Sequence, residues 1–226
     1  MTTQSDASAN GQVRVWDIFV RCFHWSLVVL YFIAYFTEDD LMQVHGWAGY
    51  LVGALLGLRV IWGVIGPRYA RFSSFTFGPL AAGRYLLQLF AFRAPRHLGH
   101  SPAGGFMVLL LLVTLAVAVV TGLAAYGNEN KGPMAPLFAD GVETATVPAL
   151  ISTAHADDDD HDDHDRGEDG GDGEDGDEFW EELHEMFANL TLILIIAHVS
   201  GVVLASLVHR ENLPRSMITG RKRGHG

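Results

Sequence analysis

Residues 183–208 read LHEMFANLTLILIIAHVSGVVLASLV, an apolar stretch that carries one acidic side chain, Glu185, and two histidines, His184 and His198. A helix needs about 20 largely apolar residues to cross a hydrocarbon core. Three further runs reach that length: roughly Ile18 to Phe36, Val44 to Ile65 and Gly104 to Tyr126. Four such runs predict an all-α, integral membrane four-helix bundle.

Working outward, the rest of the composition agrees. Of 226 residues, 49% are apolar, 11% aromatic and only 18% charged, too greasy for a disordered chain. The formal charge of −11 is local: 14 of the 26 acidic residues lie between Asp157 and Glu178, where Arg166 is the one basic residue. The remaining body is slightly basic. Cys22 is the single cysteine, which excludes an internal disulfide framework, a four-cysteine zinc site and an iron–sulfur cluster held by the chain's own cysteines.

The first run is expected to stay as an anchor. Met1 to Gly11 carries no positive charge, and the run ends in Phe36, Thr37, Glu38, Asp39 and Asp40 rather than at a small-residue cleavage site. The basic residues set the orientation, because short Lys- and Arg-rich loops stay on the cytoplasmic side. Arg14 and Arg21 open the first span, Arg68, Arg71, Arg84, Arg93 and Arg96 fill the second connection, and Arg210, Arg215, Arg221, Lys222 and Arg223 follow the fourth span. Lys131 and Arg166 alone lie in the opposite connections, with Arg59 set aside inside the second span. Both termini are therefore expected in the cytoplasm, with the acidic insert outside.

The organisation that follows is a polar tail over 1–13, three spans and an inner connection over 14–126, an outer loop with an acidic disordered insert over 127–178, the last span over 179–210 and a basic tail over 211–226. Ser101 and Pro102 read as the N-cap and first-turn proline of the third span. Pro79 to Phe92 is amphipathic enough to lie along the inner interface. Trp16, Trp25, Trp47 and Trp180 read as an interfacial belt.

Eleven histidines are present, and four of them, His24, His45, His184 and His198, fall in or at the ends of spans. Ionisable side chains at such depth are costly and usually mark function. His184 and His198 are 14 residues apart on one helix, close to four turns and about 21 Å of rise, so they share a face at two depths. Flanking charges place His45 and His184 at the outer end, and His24 and His198 in the inner half. Two pairs emerge, each with its members on different helices at matching depth. Facing neutral imidazoles are what a six-coordinate haem needs, since the macrocycle supplies the four equatorial nitrogens. Gly49, Gly53 and Gly57 recur every four residues on the His45 helix, and Gly49, one turn from His45, leaves room for a porphyrin or for another helix. Ser200, Gly201 and Ala205 offer similar room near His198. Arg21, one turn before His24, suits either a haem propionate or a cytoplasmic anchor. His209 is nearly in phase with His198 but lies at the rim beside Arg210, Glu211 and Asn212, and is read as a non-ligand.

These residues carry a resemblance. Val15-Trp16-Asp17 with Val20-Arg21 and His24-Trp25 resembles the first helix of prokaryotic cytochrome b561 and of the related b-type cytochrome subunits of nickel-iron hydrogenases. Leu183-His184-Glu185, Ala188-Asn189-Leu190, His198 and the tail His209-Arg210-Glu211-Asn212-Leu213 are similar to the closing helix of the four-helix bacterial b561 type. The resemblance covers about Val13 to Arg223 apart from the outer loop. It implies two haems b per chain, with His24 and His198 on the inner one and His45 and His184 on the outer one, the pairing that depth matching also gives. It implies electron exchange with the quinone pool and with a redox partner protein, such as a periplasmic c-type cytochrome or a hydrogenase, in a multi-pass protein of the bacterial inner membrane. Membrane lipid surrounds the spans, and no nucleic-acid partner is expected.

The insert departs from that pattern. His155, His161 and His164 among Asp157 to Glu178 read as a solvated charge run, a low-affinity divalent-metal buffer or a landing strip for a basic periplasmic protein. A divalent-metal transporter would explain the insert and the intramembrane histidines together, but apart from Glu185 at the outer end of the last one the spans carry no carboxylate for a cation path. Superoxide oxidation, an activity associated with some members of the family the chain resembles, is disfavoured by an acidic outer face that repels the anion.

Overall fold

The computed structural model describes residues 12–38, 41–128, 132 and 171–223. Its elements run β1 (Gln12–Arg14), α1 (Ile18–Phe36), α2 (Met42–Ile65), a 3-10 turn at Phe72–Ser74, α3 (Pro79–Phe90), α4 (Pro102–Asn128), α5 (Gly171–His209), α6 (Leu213–Thr219) and β2 (Arg221–Arg223). Four helical stretches are long and apolar enough to cross a membrane: Ile18–Phe36, Met42–Ile65, Pro102–Gly127 and Glu178–His209. Large apolar side chains such as Val29, Trp47, Ile61, Val120, Ile193 and Leu207 point outward from them. On a soluble protein such a coat would be a severe aggregation hazard, whereas lipid is its natural solvent.

The ends of these helices follow their capping residues. Asp17 caps α1 by accepting from Val20 N at 2.9 Å, and Ser101 Oγ accepts from Gly104 N at 3.1 Å ahead of Pro102. Helix α5 begins at Gly171, inside the segment read from sequence as disordered insert. The rest of the insert, 157–170 with His161 and His164, and also His155, lies outside the described residues.

Helix α4 packs most extensively on α5, and α1 on α2. Phe23, Tyr31, Val52, Leu56 and Leu115 form the core between them. Hydroxyls within the spans bond to the carbonyl one turn back, as from Thr191 to Phe187 at 2.8 Å and from Ser200 to Ile196 at 2.8 Å, so no water is needed to satisfy them. Two bonds cross between helices instead: Tyr31 Oη donates to Ala188 O at 3.0 Å, and Tyr35 Oη lies 3.2 Å from Asn189 Oδ1.

The sequence reading left the chain's two tails without structure. In fact β1 and β2 pair antiparallel, Gln12 with Arg223 and Arg14 with Arg221. Gly220 makes the closure possible: its φ of 77° caps α6, its carbonyl accepts from Val15 N and Trp16 N at 2.9 and 3.1 Å, and an added Cβ would meet Trp16 O at 2.7 Å. We call this the ribbon end of the bundle, and the opposite end the far end. The amphipathic α3 lies at the ribbon end, burying Ala82, Tyr85 and Leu89 and exposing Leu80, Leu87 and Phe90.

Candidate functional site

At the far end, His45 stands on the first turn of α2 and His184 on α5. Their ring centroids are 5.8 Å apart with the planes at 86°. His45 Nδ1 is 2.9 Å from Ala34 O on α1, and His184 Nδ1 is 2.8 Å from Ala118 O on α4. A carbonyl oxygen only accepts, so both Nδ1 atoms donate and both rings keep an unprotonated Nε2 able to bind a metal. Glycines admit these rings. A Cβ on Gly122 would sit 2.8 Å from the His184 ring, which touches the α4 backbone there. Nothing in the residue pattern singles out Gly122, one glycine within an apolar run. The row Gly49, Gly53 and Gly57 divides by role: Gly53 packs close to Val119, while at Gly49 and Gly57 an added Cβ would meet nothing within 4 Å.

Nearer the ribbon end, His24 on α1 faces the region of α5 that carries His198, close enough for a charge on one ring to bear on the other. His24 Nδ1 is buried with no hydrogen-bond partner among the described residues, and its ring meets Trp25 edge-on at 5.2 Å. Gly201, one turn after His198, again opens onto space. Among the described residues no three His, Cys, Asp or Glu side chains gather as a metal cage. Paired imidazoles, open glycines and an orphaned buried ring nitrogen fit a metal that arrives with its own four equatorial ligands, as in haem.

Other expected residues find different partners. Trp16, assigned to the belt, is buried in the ribbon-end core with Val15, Val20 and Ala70, because the paired tails cover it. Trp25 and Trp47 remain exposed. Arg21 donates to Ile218 O on α6, which ties it to the C-terminal segment. His209 Nε2 lies 3.2 Å from Tyr85 Oη, a structural contact between α5 and α3.

The ribbon end also holds a cationic cluster. His100 is clamped between Trp16 and Phe75, with ring centroids 4.7 and 4.3 Å away. Burial, with Arg59, Lys222 and His198 adding to it, pushes His100 down to about 3. Lys222 is buried against the Trp16 ring at 5.5 Å and donates to Gly99 O at 3.5 Å, and burial lowers it too. Glu211 is held below its ordinary range: burial opposes this, but Arg96, 3.0 Å away, and the Arg223 N–H outweigh it. Sequence reasoning noted Arg59 only to discount it from the charge count, although a lone arginine within a span was itself a signal.

The sequence profile described as prokaryotic cytochrome b561 matches residues 15–220. The chain belongs to the prokaryotic cytochrome b561 family. With four helices of membrane length, this b561-family chain is a multi-pass membrane protein. It is also similar to a protein described as "Probable Ni/Fe-hydrogenase B-type cytochrome subunit" from Rhizobium leguminosarum bv. viciae, 29% identical over 150 residues, which cover 53% of this chain and 62% of that relative. The match thus spans less than two thirds of the relative's length. No solved structure matches. The matched region of this b561-family chain contains all four span histidines.

Proposed function

We propose that this chain is a di-haem cytochrome which passes electrons between the two ends of its bundle, exchanging them with the quinone pool and with a redox partner protein in the bacterial inner membrane. His45 and His184 are the proposed axial ligands at the far end, His24 and His198 those nearer the ribbon end. The observation that carries the reading is the far-end pair: two rings 5.8 Å apart, each with Nδ1 committed to a carbonyl of a neighbouring helix. Such bonds fix the tautomer and the ring's aim and raise its basicity as a ligand. When bound, haem b supplies one-electron chemistry between ferric and ferrous iron. The chain's own task is to hold the imidazoles, keep water out and offer docking surfaces at both ends. The split of basic residues favours a cytoplasmic ribbon end. The hydrogenase-type relative makes a hydrogenase a reasonable partner to test beside a periplasmic c-type cytochrome.

The experiment is a pyridine haemochrome titration of the purified full chain and four His→Ala variants. Two haems per chain are expected, falling to one in each variant. One haem in the unmodified protein, or full haem in any variant, would reject the assignment, and a colourless protein would favour divalent-metal handling instead.

A further inference from the structure

Arg59 stands on α2, six residues before its end at Ile65, just as His24 stands six residues after the start of α1 at Ile18. The two antiparallel helices therefore bring them to one depth. Arg59 is only 3% exposed. Its Nη2 donates to Ala70 O at 3.1 Å, and its guanidinium lies 4.8 Å from the Phe72 ring centroid. Gly63, one turn on, is what admits that ring, since a Cβ there would lie 2.0 Å from it. Nη1 is buried and has no hydrogen-bond partner among the described residues.

A desolvated guanidinium with a free N–H calls for an anion. Asp17 is the carboxylate close enough to act on it, but its Oδ1 accepts from Val20 N at 2.9 Å and its Oδ2 from Trp62 Nε1 at 3.4 Å. Lys222, a second cation, acts together with Arg59 and His198 on the His100 ring. Arg21, the alternative candidate for an anion here, also has a buried Nε without a partner among the described residues, but it is only half-buried, so water reaches the side chain, and it already donates to Ile218 O. Trp16 and Phe75 enclose that His100 ring, and the depth Arg59 shares with His24 sets the guanidinium at the level of the His24–His198 pair.

We propose that Arg59, through Nη1, binds a propionate carboxylate of the haem held by His24 and His198. The inference rests on the di-haem reading above. It makes Arg59 a positioning residue that fixes the rotation of the macrocycle and balances its carboxylate in a dry site. Losing the cation leaves a negative charge beside the iron, which favours the ferric state.

The test uses the full chain in nanodiscs. In Arg59→Gln, one of two haem midpoint potentials should fall while the other stays, and the propionate bending band in the resonance Raman spectrum should shift. Arg59→Lys should keep most of the potential. Reconstitution with haem dimethyl ester, which lacks the carboxylates, should weaken retention of the same haem by about tenfold or more in the unmodified chain, and much less in Arg59→Gln. Unchanged potentials and Raman band in Arg59→Gln, or an ester penalty equal in both chains, would overturn the proposal, the latter pointing to a lipid or other free anion. If Arg59→Gln does not fold, ester binding to the unmodified chain decides: equal retention of ester and haem overturns the proposal. His24→Ala separates the two readings, because haem content unchanged there rejects the ligand assignment itself.

Discussion

Gly122 and His184 are in ring-to-backbone contact, with the position of a missing Cβ 2.8 Å from the imidazole. A methyl group there would push the ring off Ala118 O and turn its Nε2 away. Gly122→Ala should lower occupancy of the far-end haem, and Gly122→Leu should abolish it, with the other haem retained. Haem-to-protein ratio and the two-step redox titration read the outcome, and full di-haem content in Gly122→Leu would remove the far-end geometry from consideration.

Tyr31 and Ala188 join α1 to α5 at a depth between the two histidine levels. Tyr31→Phe deletes one interhelical hydrogen bond without changing shape. Unfolding in mixed micelles should show a loss of about 0.6 kcal/mol, and no more than about 1.7. Both haems should remain.

His100 links stability to pH. Its folded value, about 3, lies below the ordinary 6.5, so the unfolded chain binds the proton more readily and folding is disfavoured as pH falls from 6.5 towards 3. The groups facing it are Arg59, Lys222 and His198, all of which oppose a further positive charge. Glu211, also held low, adds a loss in the same direction at the acid end. Thermal unfolding of the unmodified chain should therefore weaken on acidification, and His100→Gln should flatten the slope between pH 6.5 and 5. An identical slope would mean that other histidines carry the effect.

These findings mark what could be read from residues alone. The spans were legible because apolar runs of membrane length have few alternative structures, and the paired histidines because 14 residues on a helix return to one face. The paired tails were not legible. Strands of three residues with the patterns QVR and RKR carry no periodicity, and they pair because Gly220 and Trp16 bring them together. Gly122 and Arg59 were missed for a related reason: their importance lies in what another helix places against them.

Topology gives a further check. Both described chain ends lie in one ribbon, so they must share a side of the membrane. With 12 basic residues in the predicted inner segments and 2 in the outer ones, a reporter fused after Arg223 should be active only if it is a cytoplasmic type. Activity of a periplasm-dependent reporter would reverse the orientation.

The acidic insert is open to a salt experiment. Deleting 157–170 spares α5 and should leave both haems intact. Electron exchange with a basic periplasmic partner should slow several-fold at low salt and little at physiological salt, where the Debye length is about 8 Å. No change at low salt would show that the charge run does not steer partners.

The ribbon has a consequence for how the protein is made. Its first strand precedes all four spans and its second follows them, so every span is synthesised before the two can meet, and the pairing closes a very long loop. Until then Trp16 lacks the cover that Lys222 on the second strand gives it. The ribbon end is therefore the last part of the fold to be completed, while His45 and His184 can come together before the second strand exists.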